Sequence, residues 1–327
     1  MENPVLLAIV GATATGKSAM AVDLAVRLGG EVVACDSTAV YRGIDIGTDK
    51  VPPAEQRGIP HHLVDMVDVT ETYSAARYAA DASAVIRDIH ARGKVPILAG
   101  GTGFYYRALV RGLFPGPARD EALRARLDRI AAGRGVEALH RWLARVDAES
   151  AGRVMPRDQK RLVRALEVYL LTGRPLSAHF ADTASPLAGW TIRTFGLDVP
   201  RDVLRARVVA RVEQQFARGV VDEVRRLIAA GVPPTAHAFS GLVYRQIIEM
   251  LQGVRNEADT RALIVQENMR YAKRQLTWFR HEAGIHWIDS SKAINREARE
   301  GREEHQQLFE ELFESLSLSS RSSRASR

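Results

Sequence analysis

The sequence predicts an α/β protein in which a parallel sheet flanked by helices is interrupted by an all-helical insertion. Three observations predict it. The apolar run from Val5 to Val10 passes directly into Gly11-Ala12-Thr13-Ala14-Thr15-Gly16-Lys17-Ser18, a complete G-x-x-x-x-G-K-[ST] string ahead of a helical run. Short apolar segments then alternate with helical ones, the pattern of a sheet covered on both faces. From Arg119 to Gly173 the strand signals stop and Arg-rich helical runs take over.

Taken in order, Val5 to Val10 is the first strand and Ala19 to Leu28 the first helix. Between them, the loop glycines let backbone N–H groups turn around phosphate oxygens, Lys17 adds a point charge, and the Ser18 hydroxyl is placed to ligate Mg²⁺. The positive end of the helix favours the same anion. This makes the core P-loop NTPase-like, but the cradle suits a nucleoside triphosphate or any diphosphate carrying Mg²⁺ equally well. Glu31 to Cys35 reads as a second strand, Tyr73 to Ala91 as a helix and Val95 to Ala99 as a third strand. Asp36 and Ser37 follow one strand and Gly100-Gly101-Thr102-Gly103 another, so both groups should join the P-loop at the carboxyl ends of the sheet.

The insertion carries helices at Glu121 to Ala132, Val136 to Val146 and Gln159 to Thr172, the last stopped by Gly173 with Pro175 beyond. Thr191 to Val199 reads as a returning strand and Asp202 to Ala230 as one long helix. Helices at Leu242 to Leu251 and Glu257 to Glu282 follow, and Ile285 to Ile288 is a last short strand. The expected plan is a first part of the core over 1–117, the helical insertion over 118–188 and a return to the core over 189–292. A charged helix at Glu303 to Leu316 and a disordered Ser/Arg tail occupy 293–327.

With 327 residues, 46% hydrophobic and 26% charged, the chain has the composition of a soluble globular protein with one large core and a smaller attached domain. No apolar segment approaches the roughly 20 residues that span a bilayer, and Met1-Glu2-Asn3-Pro4 lacks the character of a signal peptide, so no membrane association and a cytoplasmic location are expected. Cys35 is the only cysteine, which excludes an intrachain disulfide and a thiolate metal cluster. It reads as a small buried residue. The net charge of +7 suits either a polyanionic partner or a solvated basic surface. His61-His62 has no carboxylate at ligand spacing and reads as structural or hydrogen-bonding.

Several strings carry a resemblance along nearly the whole chain. They are Gly11 to Ser18 (GATATGKS), Asp36 to Lys50 (DSTAVYRGIDIGTDK), Gly58 to Asp65 (GIPHHLVD), Tyr73-Ser74-Ala75-Ala76, Pro96 to Tyr105 (PILAGGTGFY), Arg161 to Tyr169 (RLVRALEVY) with Thr172-Gly173, and Tyr271 to Arg280 (YAKRQLTWFR). In this order they resemble the tRNA dimethylallyltransferases. The resemblance implies attack by the exocyclic amine of an adenosine next to the anticodon on the allylic carbon of dimethylallyl diphosphate, with diphosphate leaving.

On that resemblance, Gly11, Ala12, Thr13, Ala14, Thr15, Gly16, Lys17 and Ser18 hold the diphosphate, with Mg²⁺ held through Ser18. Asp36 takes the proton of the amine, Thr102 contacts the reacting region, and Arg211 reaches the diphosphate from the far side. The tRNA anticodon stem-loop is expected on Ser37, Thr38, Ala39, Thr102, Arg124, Lys160, Arg161, Leu162, Val163, Arg164, Lys273, Arg274 and Gln275, with the insertion gripping the anticodon arm. A monomer is adequate for this chemistry. The residues alone leave other readings open: Asp36 as a Mg²⁺-organising carboxylate, Arg211 as a solvated arginine, and Arg161 and Arg164 as surface charge flanking a packed face of Leu162, Leu166 and Leu170. Departures from the usual pattern stand at Ala12, Thr38-Ala39, Val243-Tyr244-Arg245 and Asn268-Met269.

Two other reactions compete with prenyl transfer to tRNA: prenylation of a free adenine nucleotide, and phosphorylation of a small molecule by a P-loop kinase. An RNA-binding NTPase is a third alternative. The Arg-rich insertion favours a macromolecular acceptor, and no lid or adenine-binding signature of a kinase is evident.

Overall fold

The computed structural model describes residues 3–290. Six strands, β1 (Val5–Gly11), β2 (Gly30–Cys35), β3 (His61–His62), β4 (Val95–Gly100), β5 (Thr191–Asp198) and β6 (Ile285–Asp289), form one sheet in the order β3-β2-β4-β1-β5-β6. Every pairing is parallel. Both faces of such a sheet are covered, which is why β1 reads as an unbroken apolar run and is buried from Leu6 to Gly11. Because β1 lies between β4 and β5, the loop that follows it opens at the middle of the carboxyl edge.

Thirteen α-helices connect and cover the strands among the described residues: α1 (Lys17–Leu28), α2 (Pro53–Gln56), α3 (Ala75–Ala91), α4 (Gly103–Val110), α5 (Glu121–Arg134), α6 (Val136–Val146), α7 (Ala148–Arg153), α8 (Gln159–Thr172), α9 (Leu176–His179), α10 (Arg201–Ala217), α11 (Val220–Ala229), α12 (Tyr244–Leu251) and α13 (Glu257–Arg280). They divide between two compact units, Met1–Leu109 with Gly189–Arg327, and Val110–Ala188.

In the sheet unit, α1 buries Met20, Ala21, Leu24 and Ala25 against Leu7, Ile9, Val32, Ile97, Phe195, Leu197 and Ile288. A second cluster fixes the P-loop itself: Ala12 and Ala14 pack with Val199, Leu204, Val208 and Ala272 from β5's exit, α10 and α13. The single helix expected from Asp202 to Ala230 is two. Gly219 at φ 87° adopts a left-handed conformation, and the chain turns there between α10 and α11.

The unit Val110–Ala188 is entirely helical among its regular elements, and its core joins Leu127, Ala131, Leu139, Leu143, Ala151, Leu162, Val163, Ala165 and Leu166. Three of its helices, α5, α7 and α8, begin at acidic caps: Asp120, Asp147 and Asp158 accept the backbone N–H groups of Leu123, Ser150 and Arg161. Leu170, expected on the packed face of α8, is 41% exposed. Val163 and Ala165 join Leu162 and Leu166 in the helical core instead. The charged helix and Ser/Arg tail expected over 293–327 lie outside the described residues. No described helix is long and apolar enough to cross a membrane.

Candidate active site

A cavity of about 530 Å³ opens at the carboxyl edge of the sheet, at the P-loop. Thr13, Ala14, Gly16, Lys17 and Ser18 line it, as do Asp36 beyond β2, Gly100 and Gly101 beyond β4, and Arg211 on α10. Three strand ends and a distant helix thus meet at one place. Gly11, Ala12 and Thr15 stand behind this lining: their side chains or Cα atoms are buried, and the Ala12 carbonyl accepts hydrogen bonds from the Thr15 hydroxyl and from Lys17 Nζ. Burial and the neighbouring Arg211 push the Lys17 ammonium down to about 7, against the opposing pull of Asp36.

Asp36 is half-buried and asymmetric. Its Oδ1 accepts from Thr38 N at 2.8 Å, Thr38 Oγ1 at 2.6 Å and Ala39 N at 3.4 Å, the turn expected of an Asp leaving a strand. Among the described residues, Oδ2 accepts no hydrogen bond. One oxygen is therefore committed to holding the carboxylate still, and the other is available to a substrate proton. Thr102 stands just behind the lining, with its Oγ1 accepting from Ser37 N at 3.0 Å, so it braces the Asp36–Ser37 corner. Cys35 is buried, and that burial pushes its thiol up to about 12, which suits packing and not nucleophilic work.

Arg211 is held at two points. Its Nη1 donates to Thr13 Oγ1 at 2.6 Å and its Nε faces Asp49 Oδ2 at 3.3 Å. Sequence reasoning did not single out Asp49, Tyr271 or the role of Gln275. Gln275 is 7% exposed and bridges the site from within: its Oε1 accepts from Thr13 N at 2.8 Å and its Nε2 donates to Gly101 O at 2.9 Å. Gln275, expected as an RNA contact, ties the P-loop to the turn after β4 and also lines the cavity. Burial pushes the Tyr271 phenol up to about 12, with Asp36 adding to the effect and Thr102 and Gln275 opposing it.

The residues expected to meet RNA divide by burial. On α8, Lys160 and Arg161 are exposed, whereas Leu162 is fully buried and Val163 is 5% exposed in the helical core. The side chains of Leu162 and Val163 therefore cannot reach an external ligand. Arg124 and Arg164 both point at Glu167, whose oxygens accept from Arg124 Nε and Nη2 at 2.8 Å and from Arg164 Nη1 at 2.7 Å. Burial opposes ionisation of Glu167, yet the two guanidiniums hold its carboxyl down to about 2. In the sheet unit, Arg274 lies over the Tyr271 ring at 5.5 Å. Lys273 lines a different cavity, about 1100 Å³, walled also by Arg201, Arg205, Arg270 and Arg280. That larger space shares no lining residue with the P-loop cavity. His62 behaves as expected of a hydrogen-bonding residue, its Nε2 meeting Glu31 at 2.7 Å.

Comparison with known proteins bears directly on this arrangement. A family model described as IPP transferase matches residues 39–282, spanning Asp49, Thr102, Arg211, Tyr271 and Gln275. The chain belongs to the IPP transferase family. Relatives within it include a tRNA dimethylallyltransferase of Thermomicrobium roseum, 46% identical over 87% of this chain and 86% of that protein. One of Geobacter metallireducens is 46% identical over 88% and 93%. Among solved structures, a full-length tRNA isopentenylpyrophosphate transferase from Bacillus halodurans superposes with a TM-score of 0.67 at 36% identity, covering 96% of this chain and 98% of that one. A eukaryotic dimethylallyltransferase described as acting on tRNA gives 0.72 at 26% identity, over 88% and 74%. The parallel sheet flanked by helices is thus the family's fold as well as the sequence's expectation, which names five of the six strands and misses β3.

Proposed function

We propose that this protein transfers a dimethylallyl group from dimethylallyl diphosphate to the exocyclic amine of the adenosine next to the anticodon of a tRNA. The observation that carries the reading is the meeting, in one cavity, of a phosphate cradle, a guanidinium held against it and a carboxylate with one oxygen to spare. A P-loop that hydrolyses NTP also uses a strand-end carboxylate, to organise Mg²⁺, so it is the IPP transferase match over residues 39–282 that favours prenyl transfer. In that reaction the carboxylate faces the attacking amine.

The amine nitrogen forms a bond to the allylic carbon while the carbon–oxygen bond to diphosphate breaks. Charge then grows on the departing diphosphate, where P-loop amides, Lys17 and Arg211 are positioned to stabilise it. The nitrogen loses its proton to Asp36 Oδ2, with Oδ1 kept in place by Thr38 and Ala39. An unprotonated carboxylate also favours the positive charge that builds on the attacking nitrogen.

Mg²⁺ fits this donor set. Ser18 is an exposed hydroxyl lining the cavity, and no group of three or more His, Cys, Asp or Glu residues among those described could hold a metal by itself. That matches an ion which takes one protein oxygen and completes its shell with substrate oxygens and water. When bound, Mg²⁺ would neutralise charge on the leaving group.

A target adenosine must leave its stack to reach Asp36, so the RNA needs a grip outside the cavity. Lys160 and Arg161 on α8, and Lys273 and Arg274 on α13, are the cations we assign to it. Purified protein given Mg²⁺, dimethylallyl diphosphate and tRNA should form prenylated adenosine without ATP, read by mass spectrometry of digested tRNA. Product formed only with free AMP, or ATP-dependent phosphorylation of a metabolite, would overturn the reading.

A further inference from the structure

Arg211 can grip a diphosphate only if its guanidinium is held where the anion sits, and it projects from α10 on a long, flexible stem. Its placement depends on a loop remote in sequence. Asp49 Oδ2 faces Arg211 Nε at 3.3 Å and also accepts from Gln215 Nε2 at 2.8 Å, four residues further along the same helix. With Nη1 on Thr13, this leaves Arg211 Nη2 without a protein partner among the described residues and available to an anion in the cavity it lines.

The loop carrying Asp49 is itself fixed from below. Glu223 on α11, 3% exposed, accepts the backbone N–H groups of Asp45 and Ile46 at 2.9 Å each, and that of Gly47 at 3.4 Å. Tyr244 on α12, 1% exposed, donates its hydroxyl to Glu223 at 2.7 Å and accepts from Gly47 N at 3.0 Å. The fit is close enough that a Cβ on Gly47 would come within 2.6 Å of the Tyr244 ring. Lys50 closes the loop's other end on Asp45 and Asp65. Asp49 holds a left-handed φ of 52°, a conformation that Asp and Asn tolerate better than most residues.

We propose that Asp49 is a positioning residue for Arg211, and that the buried Glu223–Tyr244 pair holds its loop at the required height. The proposal rests on the reading above that Arg211 meets the departing diphosphate. It accounts for residues of the Asp36–Lys50 string that touch neither cradle nor carboxylate. Asp49 acts through Arg211, so its loss should be felt as misplacement of the guanidinium.

The decisive variant is Asp49→Asn, which keeps the side-chain shape and the left-handed backbone but removes the charge. Positioning predicts a kcat lower by on the order of a hundred-fold, the usual scale for a catalytic group displaced by about an ångström, with the KM for tRNA unchanged. In an Arg211→Ala background, Asp49→Asn should cost nothing further. Tyr244→Phe should lower kcat by about tenfold and likewise be silent without Arg211. Multiplicative losses, or unchanged turnover in Asp49→Asn, would overturn the proposal. Calorimetry with inorganic diphosphate and Mg²⁺ reads it independently of turnover. Weaker binding by Asp49→Asn supports positioning; tighter binding, which removal of a nearby negative charge alone would give, defeats it. Wild-type protein that binds diphosphate but prenylates no tRNA would instead sink the functional reading.

Discussion

At the scale of single residues, the site is organised by what each group has already spent its hydrogen bonds on. Asp36 commits one oxygen to its own turn, Gln275 commits both ends of its amide, and Arg211 commits two of its nitrogens. Lys17 gives the clearest consequence. Burial and Arg211 hold its pKa near 7 in the free protein, well below the value of an exposed lysine. A bound diphosphate favours the charged form and raises that pKa, so binding above pH 7 takes up a proton, and affinity should fall as pH rises from 7 to 9. Calorimetry in two buffers of different ionisation enthalpy measures the uptake directly, and a heat independent of buffer at pH 8 would contradict the assignment. Lys17, Ser18 and Asp36 were legible from the string they occupy. Asp49 was not, since the group that orients it, Gln215, lies 166 residues away and neither residue type is unusual by itself.

At the scale of elements, the helical unit depends on one buried carboxylate. Glu167 on α8 is inaccessible to solvent and gathers Arg124 from α5, Arg164 from its own helix and the backbone N–H of Asp120. Removing one partner from a buried ionic cluster is more costly than its formation is favourable, because a charge is left without compensation. Glu167→Gln should therefore destabilise the protein by about 3 kcal/mol, measured by denaturant unfolding at pH 7. The carboxyl's folded pKa of about 2 lies below its unfolded value. Its contribution is therefore complete above about pH 4.3 and lost as pH falls toward 2, so the mutational cost should shrink with acid. This changes the reading of Arg124 and Arg164. The sequence offered both as RNA contacts, but their guanidiniums are engaged in holding two helices together. Periodicity did reveal α6 and α8 to the residue, as Val136–Val146 and Gln159–Thr172, and Gly173 with Pro175 beyond marked the end of α8. The division between α10 and α11 escaped, since an arginine-rich run with apolar residues at helical spacing continues across Gly219.

At the scale of the whole molecule, the net charge of +7 becomes informative once burial separates engaged cations from available ones. Lys160 is exposed on α8 and has no ion-pair partner among the described residues, unlike Arg124 and Arg164. Lys160→Ala should weaken tRNA binding and reduce the slope of log affinity against log salt by about 1, as titrations between 50 and 200 mM salt, a range of roughly that order, would show. An unchanged slope would remove Lys160 from the interface. The sequence by itself determined the parallel core, the P-loop string after β1, the helical character of the insertion and the family, because each is written in contiguous residues whose spacing has a direct physical meaning. Only the tertiary structure decided which of the described cations are engaged in ion pairs, which oxygen of Asp36 is open, and that Asp49, in the loop before α2, faces an arginine on α10. Those are contacts between distant segments, and a chain's local periodicity carries no record of what will be packed against it.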